Sequence, residues 1–384
     1  MALGLSALKA APEAIAVLIS QLFARFPFGM LSIAFVIHIQ AITGSYAIAG
    51  IALGAETIGA SISGPLLARW MADFGMRRVI IISTSISVAA LISLAFVPPE
   101  AIWLVALSFL VGFSSPPIQP AARSIYPQVT PKKLMPALYS LDATSQEIIW
   151  VLGPLVATLV AASFGNIPML ITVALIQVFG TIWFLLNKSV GSVKIPKNTN
   201  ALGKALRNPR VAAVTVLGLL FVGSFAGVEV GSVALFGKTL AGLMFAVFSL
   251  GSIFGGLLIA PRFKGPHALT VFIVISLVGY SAFLIAPENP VWAAVSLFIA
   301  GLGVAPVLGT LSLMIATGTS GSETVEAYGW TTAGQLVGFS AGSALAGIAI
   351  DIVDPIAALL VSVVFSVFTL IASLLITRGT KNYR

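Results

Sequence analysis

No cysteine occurs in the 384 residues, and only two histidines do. The first absence excludes disulfides and cysteine-based metal sites. The second leaves His38 and His267 on separate segments, so no metal-ligand constellation forms and no cofactor is expected. Charge is scarce as well. Asp, Glu, Lys and Arg make up 8% of the chain and apolar residues 58%, whereas an ordinary soluble domain carries roughly 25% charged residues. So few charges cannot cover the surface of a water-soluble protein of this length. No His-Glu-x-x-His or paired-acid hydrolase pattern is present, and an enzyme is not expected. Gly231 to Thr239 (GSVALFGKT) has the look of a phosphate-binding loop. It places five residues between its glycines, where the motif needs four and a preceding strand.

What the chain has instead is apolar length. Twelve apolar segments occupy residues 13–37, 46–68, 79–97, 101–122, 141–163, 167–187, 211–236, 240–260, 267–286, 291–317, 325–350 and 355–377. Each is near or above the ~20 residues that cross ~30 Å of hydrocarbon. The expectation is an all-α integral membrane protein with twelve transmembrane helices. The first segment is a full span followed at once by another, so it reads as a retained helix and not a cleaved signal.

Charge orders these spans. Eighteen of the twenty Lys and Arg lie at the N-terminus, in the even gaps or in the C-terminal tail. The exceptions are Arg25, inside the first span, and Lys238, in an odd gap. The odd gaps carry Glu100, Glu288 and Asp354. By the positive-inside rule both termini and the even gaps are cytoplasmic. The net charge of +8 then reflects topology and attraction to anionic lipid head groups, and no nucleic-acid partner is needed.

The chain also repeats itself. Residues 107–160 and 296–349 match at a constant offset of 189. Phe109 to Pro117 (FLVGFSSPP) meets Phe298 to Pro306 (FIAGLGVAP), Tyr139 meets Tyr328, Gln146 meets Gln335, and Gly153 meets Gly342. At an offset of 191, Ser61 to Leu67 meets Ser252 to Leu258. Two pseudo-symmetric six-helix halves follow, 1–187 and 211–384, joined by a basic linker at 188–210. Six-plus-six halves of this kind are a transporter architecture with the site at the repeat interface.

At these residues the chain resembles the Major Facilitator Superfamily, over nearly its whole length. Ala68 to Arg78 (ARWMADFGMRR) is similar to the family's gating loop G-x-L-x-D-x-x-G-R-R/K. Gly75, Arg77 and Arg78 match, Ala68 replaces the first glycine, and Asp73 sits one residue late. Gly153-Pro154 resembles the core of a motif found in proton-coupled exporters, without its flanking glycines. Pro116-Pro117 followed by Arg123 is similar to a pattern in bacterial, especially actinobacterial, members. The resemblance implies the major facilitator fold, gating by Asp73, Gly75, Arg77, Arg78, Gly153 and Pro154, and a monomer in a bacterial inner membrane.

Ionisable groups at membrane depth cost ~2.5–3.5 kcal/mol or more, so each asks for a partner or a function. Arg25 lies roughly 18 Å along the first span at 1.5 Å per residue, and Glu56 is midway along the second. Both are expected at the central cavity, close enough to influence each other, with Glu56 taking up a proton. Glu147 and Arg123 are expected to pair as an inner gate, near Asp142 at the end of span five. Glu229, among glycines spaced for close packing, is expected at the outer vestibule. Gln146 and Gln335 are candidates to hydrogen-bond substrate from both halves. His38 reads as interfacial.

The expected function is secondary active transport by alternating access, with protons, membrane lipids and a small-molecule substrate as partners. Export of a small apolar or amphipathic molecule is favoured. Uptake of a metabolite or anion bound by Arg25 is the alternative, and a non-transporting sensor or assembly factor on the same fold is a third.

Overall fold

The computed structural model describes residues 11–193, 203–263, 265, 267–320 and 322–381. The N-terminal Lys9 and residues 194–202 of the linker lie outside these. The described chain is helical, and eleven of its helices are long and apolar enough to cross a membrane. The sixteen-residue helix Ala268–Phe283 is shorter and takes the ninth position of twelve.

Span one is Pro12–Thr43. It opens on a proline at its first turn and closes on Gly44 in the left-handed region. Span two, Tyr46–Phe74, is capped by the Ser45 side chain. A single residue, Gly75 at φ +93°, turns it into span three, Met76–Phe96. A residue with a Cβ meets a steric penalty at that φ, so this one-residue turn needs glycine. Span five, Met135–Phe164, is joined to span six, Asn166–Leu186, in the same way by Gly165. Spans seven and eight form one hydrogen-bonded run, Pro209–Phe254, broken in direction at Gly237. Spans eleven and twelve are Ser322–Ile352 and Pro355–Lys381.

Two spans that the apolar pattern presents as continuous are broken. Span four consists of Ala101–Phe113 and Ile118–Val129. Pro116 and Pro117 lack amide hydrogens and stop the first helix. Span ten consists of Pro290–Gly301 and Val304–Gly318. The two breaks occupy corresponding places in the sequence repeat.

Packing follows the repeat too. Gly112 in span four lies against the Glu56 backbone of span two, and Gly301 in span ten against the Phe248 backbone of span eight. Gly153 of span five meets Gly29 of span one, while Gly342 of span eleven meets Gly223 of span seven. Gly227 and Gly231 press against span twelve at Ser362 and Leu359. Lipid offers no hydrophobic drive for one helix to prefer another. Close backbone approach at small residues supplies the attraction instead.

We call the membrane side that carries Arg69, Arg77, Arg78, Lys132, Lys133, Arg207 and Arg262 the basic face. The two halves join near it. Span two crosses span eleven where Gly64 faces Gly329. Span five crosses span eight where Ser140 Oγ donates to the Gly256 carbonyl at 2.8 Å. Toward the opposite face, Gly50 and Gly54 of span two, Gly242 of span eight and Gly347 of span eleven have open space where a Cβ would stand.

The outer surface is apolar. Ile81, Ile82, Phe96, Ile102, Phe179 and Leu186 are all exposed, a coat that only a hydrocarbon solvent tolerates over such an area.

The glycine contacts set a test. A Gly112→Ala methyl collides with the Glu56 backbone, and overpacking of this kind costs roughly 1–3 kcal/mol or more. Gly54→Ala meets no atom within 4 Å. Thermal unfolding of the detergent-purified protein is expected to show clear loss for the first variant and none for the second.

Candidate functional site

The break in span four builds the site. Restarting at Ile118, the short helix carries Gln119, Arg123 and Tyr126 at i, i+4 and i+7, so they share one face. That face meets spans one and five, which run side by side in a fixed register. Gln21 pairs with Asp142 and, one turn further from the basic face, Arg25 pairs with Gln146. One more turn brings Gly29 against Ile149 and Gly153, where the backbones touch.

Asp142 is the centre of this arrangement and is fully buried. Its Oδ2 accepts from Arg123 Nε at 2.9 Å, and its Oδ1 accepts from Gln21 Nε2 at 2.8 Å and Tyr126 OH at 3.1 Å. Three donors from spans one and four thus hold one carboxylate of span five. The Gln119 amide, turned so that its neighbours are satisfied, presents its oxygen to Arg123 Nη2 and Nη1 at 2.9 and 3.2 Å. The Arg123 guanidinium also lies over the Tyr328 ring of span eleven, 5.9 Å from its centroid. A buried ion pair gains little over an apolar substitute of the same shape, but breaking one costs a great deal.

The repeat-related tyrosines meet each other here. Tyr139 OH and Tyr328 OH are 2.9 Å apart across the two halves. Tyr139 OH also reaches the Arg123 carbonyl at 3.1 Å, and Tyr328 OH reaches the Ser312 carbonyl at 3.0 Å. Residues 123 and 312 are themselves 189 apart, so the pair and its acceptors obey the sequence repeat. Two hydroxyl protons serve three oxygen–oxygen contacts, and one contact is always without a proton.

Several expected pairings take other partners. Arg25 does not meet Glu56. Its side chain donates to Gln146 Oε1 at 3.3 Å, and its charged neighbours are Asp142 and Arg123. Glu56 is buried where spans two and four cross, and its carboxylate meets the Thr57 hydroxyl at 3.4 Å. Register explains the difference: span one presents Arg25 toward spans four and five, while Glu56 shares its turn with Gly112. Arg123 pairs with Asp142, not with Glu147. The step of five residues from Asp142 turns Glu147 toward the other half, where Ser252 Oγ of span eight donates to it at 2.8 Å. Ser252 Oγ also accepts from the Ala305 amide of span ten.

Gln335 packs over Gly218 of span seven. Glu229 is exposed on span seven, and no hydrogen bond reaches it among the described residues. In the loop after span two, Asp73 pairs with Arg69 of its own helix at 3.8 Å. Arg77 crosses to the end of span six, donating to the Leu185 carbonyl at 3.3 Å and covering Gly191. Arg78 is exposed beside it. Pro154 leaves its carbonyl to the Thr158 hydroxyl at 2.9 Å, and Gly153 is the contact with Gly29 already described. His38, near the outer end of span one, is buried, with Nε2 at 3.1 Å from the Leu94 carbonyl of span three.

Sequence reasoning passed over Gln21, Gln119, Tyr126 and Ser252 as partners of the named charges. Nothing local to those residues marks them. The tyrosines did carry a signal, since Tyr139 and Tyr328 stand at the repeat offset.

Two repeated helical halves around a buried polar centre define the class of membrane carriers built from parallel repeats. The chain belongs to the Major Facilitator Superfamily, whose profile matches residues 17–315. Over 140 residues it is 25% identical to the multi-drug resistance efflux pump PmrA homolog of Lactococcus lactis subsp. lactis (strain IL1403), covering 36% of this chain and 34% of the relative. Over 198 residues it is 22% identical to the multidrug resistance protein MdtG of Enterobacter lignolyticus (strain SCF1), covering 50% and 47%. These matches span about a third to a half of the relatives' own length. In three dimensions the chain is similar to a bacterial homologue of the iron transporter ferroportin in its outward-facing state, with TM-score 0.76, 12% identity and coverage of 94% and 98%. It is also similar to the proton:xylose symporter XylE, with TM-score 0.73, 12% identity and coverage of 94% and 95%. At such identity the likeness is one of fold.

Asp142→Asn leaves Arg123 buried without its counter-charge. The expected cost is about 3–5 kcal/mol, read as a lowered unfolding temperature. The double variant Arg123→Gln with Asp142→Asn is expected to recover part of that loss.

Proposed function

We propose that the protein is a secondary active transporter that exports a small amphipathic molecule in exchange for protons, from the cytoplasm of a bacterial cell. The basic face is cytoplasmic on this reading, by the positive-inside rule. One observation carries the proposal. The halves are fastened to each other near the basic face, whereas Gly50, Gly54, Gly242 and Gly347, toward the opposite side, have open space where a Cβ would stand. Alternating access needs an arrangement that can close at one end and open at the other. Similarity to multidrug efflux proteins supports the direction and the breadth of substrate.

Two buried carboxylates suit proton coupling. Asp142 accepts from Arg123 and two further donors, so losing its charge breaks an ion pair. Glu56 and Glu147 have hydroxyl partners from Thr57 and Ser252 and no cation partner among the described residues. Either can take up a proton without that loss. Glu147 lies on the seam between the halves, so its charge bears on whether they stay together. Glu56 is buried beneath the contact of spans two and four.

Efflux-deficient bacterial cells expressing wild type, Glu56→Gln, Glu147→Gln or an empty vector test this against a panel of anionic, neutral and cationic toxic compounds. Resistance is expected from wild type and a loss of roughly tenfold or more from the Gln variants at equal membrane expression. Resistance unchanged in both variants removes these carboxylates from coupling. No resistance from wild type to any compound removes export and leaves uptake or a non-transporting role.

The absence of cysteine gives a second test. Single cysteines at Gly54 and Gly347 are expected to react with an impermeant maleimide added outside intact cells, while cysteines at Gly64 and Gly329 do not. Equal labelling at all four positions contradicts closure at the basic face.

A further inference from the structure

We propose that Arg25, with Gln146 beside it, is the recognition site for an anionic oxygen group, a carboxylate or sulfonate, on the transported molecule. This rests on the carrier reading above and names the substrate chemistry at its central site.

The argument is one of charge accounting. Three charged side chains meet where spans one, four and five converge: Arg25, Arg123 and Asp142. Asp142 commits one oxygen to Arg123 at 2.9 Å and the other to Gln21 and Tyr126. Neither oxygen lies within ion-pair distance of Arg25. Arg69 pairs with Asp73 and Arg123 with Asp142, and Arg25 forms no ion pair among the described residues. Arg25 therefore stands in the membrane interior with one positive charge in excess. Its hydrogen bond is to a neutral amide, Gln146 Oε1, at the long distance of 3.3 Å. A guanidinium has five N–H donors in a planar fork, so most of its donor capacity is unspent. Such a fork matches two oxygens of one carboxylate or sulfonate.

Position supports the same conclusion. Arg25 is one turn farther from the basic face than the sealed Gln21–Asp142 contact, and it is half-buried where Gln21 and Asp142 are fully buried. It thus lies on the side of the sealed contact that points away from the basic face. The repeat supplies a control within the molecule. In the second half Gln335 corresponds to Gln146, and it packs over Gly218 of span seven where Gln146 meets Arg25. One half thus presents a cation at this depth and the other an uncharged contact, which fits a ligand with one charged end and an apolar body. An unsatisfied interior charge of this kind costs free energy in every state that leaves it empty. A ligand that neutralises it gains what the empty protein forgoes.

The test uses the chain's lack of cysteine and needs no knowledge of the natural substrate. Gln146→Cys and, separately, Gln335→Cys are made in the full-length protein, with and without Arg25→Gln or Arg25→Lys. Each is reacted from outside with an anionic ethylsulfonate methanethiosulfonate and with its cationic trimethylammonium counterpart. Every rate is divided by that reagent's rate with a free thiol. At distances of several ångströms a single interior charge separates the two reagents by roughly fivefold or more. The anionic reagent is expected to be favoured by that margin in both cysteine variants. Arg25→Gln should bring the ratio to about one, and Arg25→Lys should keep it above one. A ratio near one with Arg25 present overturns the proposal. So does a ratio unchanged by Arg25→Gln, or no reaction of either reagent with protein whose unfolding temperature is that of the parent. The labelling does not depend on transport, so it can fail while export stands, or hold where export fails. Resistance conferred to cations alone in the cell panel overturns the anion assignment and leaves the carrier intact.

Discussion

A fully buried carboxylate draws its donors from the protein around it, and Asp142 finds three on two other helices. Much of the structure near the basic face depends on that demand. The arginine it needs comes from the second half of a broken span, and the break exists because two consecutive prolines stop the helix. The glutamine it needs fixes the register of spans one and five. That register in turn lays Arg25 on Gln146 and Gly29 on Gly153. The neutral side chains of the cluster are placed by the charge they serve, and Arg123 carries the contact onward to Tyr328 in the other half.

The second ordering constraint is backbone proximity. Helices in lipid attract one another through close contact, and in this chain glycines provide it at matching places in both halves. The same residue type reports on the conformation. Gly64 and Gly329, near the basic face, are pressed against each other across the halves, whereas Gly50, Gly54, Gly242 and Gly347, toward the other face, stand clear. The polar links between the halves lie on the pressed side as well: Ser140 to the Gly256 carbonyl, Glu147 to Ser252, and Tyr139 to Tyr328.

The spans, the bias of charge and the repeat were all legible in the sequence, because each is a pattern along the chain. A run of apolar residues announces a helix in lipid, and arginines in alternate gaps announce its orientation. The breaks in spans four and ten were hidden inside such runs, since hydropathy does not register a lost amide hydrogen. Partnerships across helices were the least legible. Arg25 and Glu56 are at similar depth on consecutive helices, yet depth does not say which way a side chain faces. Glu147 and Asp142 are close in sequence, yet five residues on a helix turn them to different neighbours. Gln21 carries no charge and no motif, and only the register of two helices reveals that it serves Asp142. Tyr139 and Tyr328 could be matched to each other as a repeat, but nothing in that match says that the two hydroxyls touch.

The tyrosine pair has a consequence of its own. Backbone and side chains there are nearly symmetric, with a hydroxyl and a carbonyl from each half. Protons cannot be shared in that symmetric way, because two cannot fill three gaps. Each proton arrangement leaves a different one of the three contacts without a proton. A fastening with a built-in vacancy holds two halves in register without welding them, and it lets go one hydrogen bond at a time.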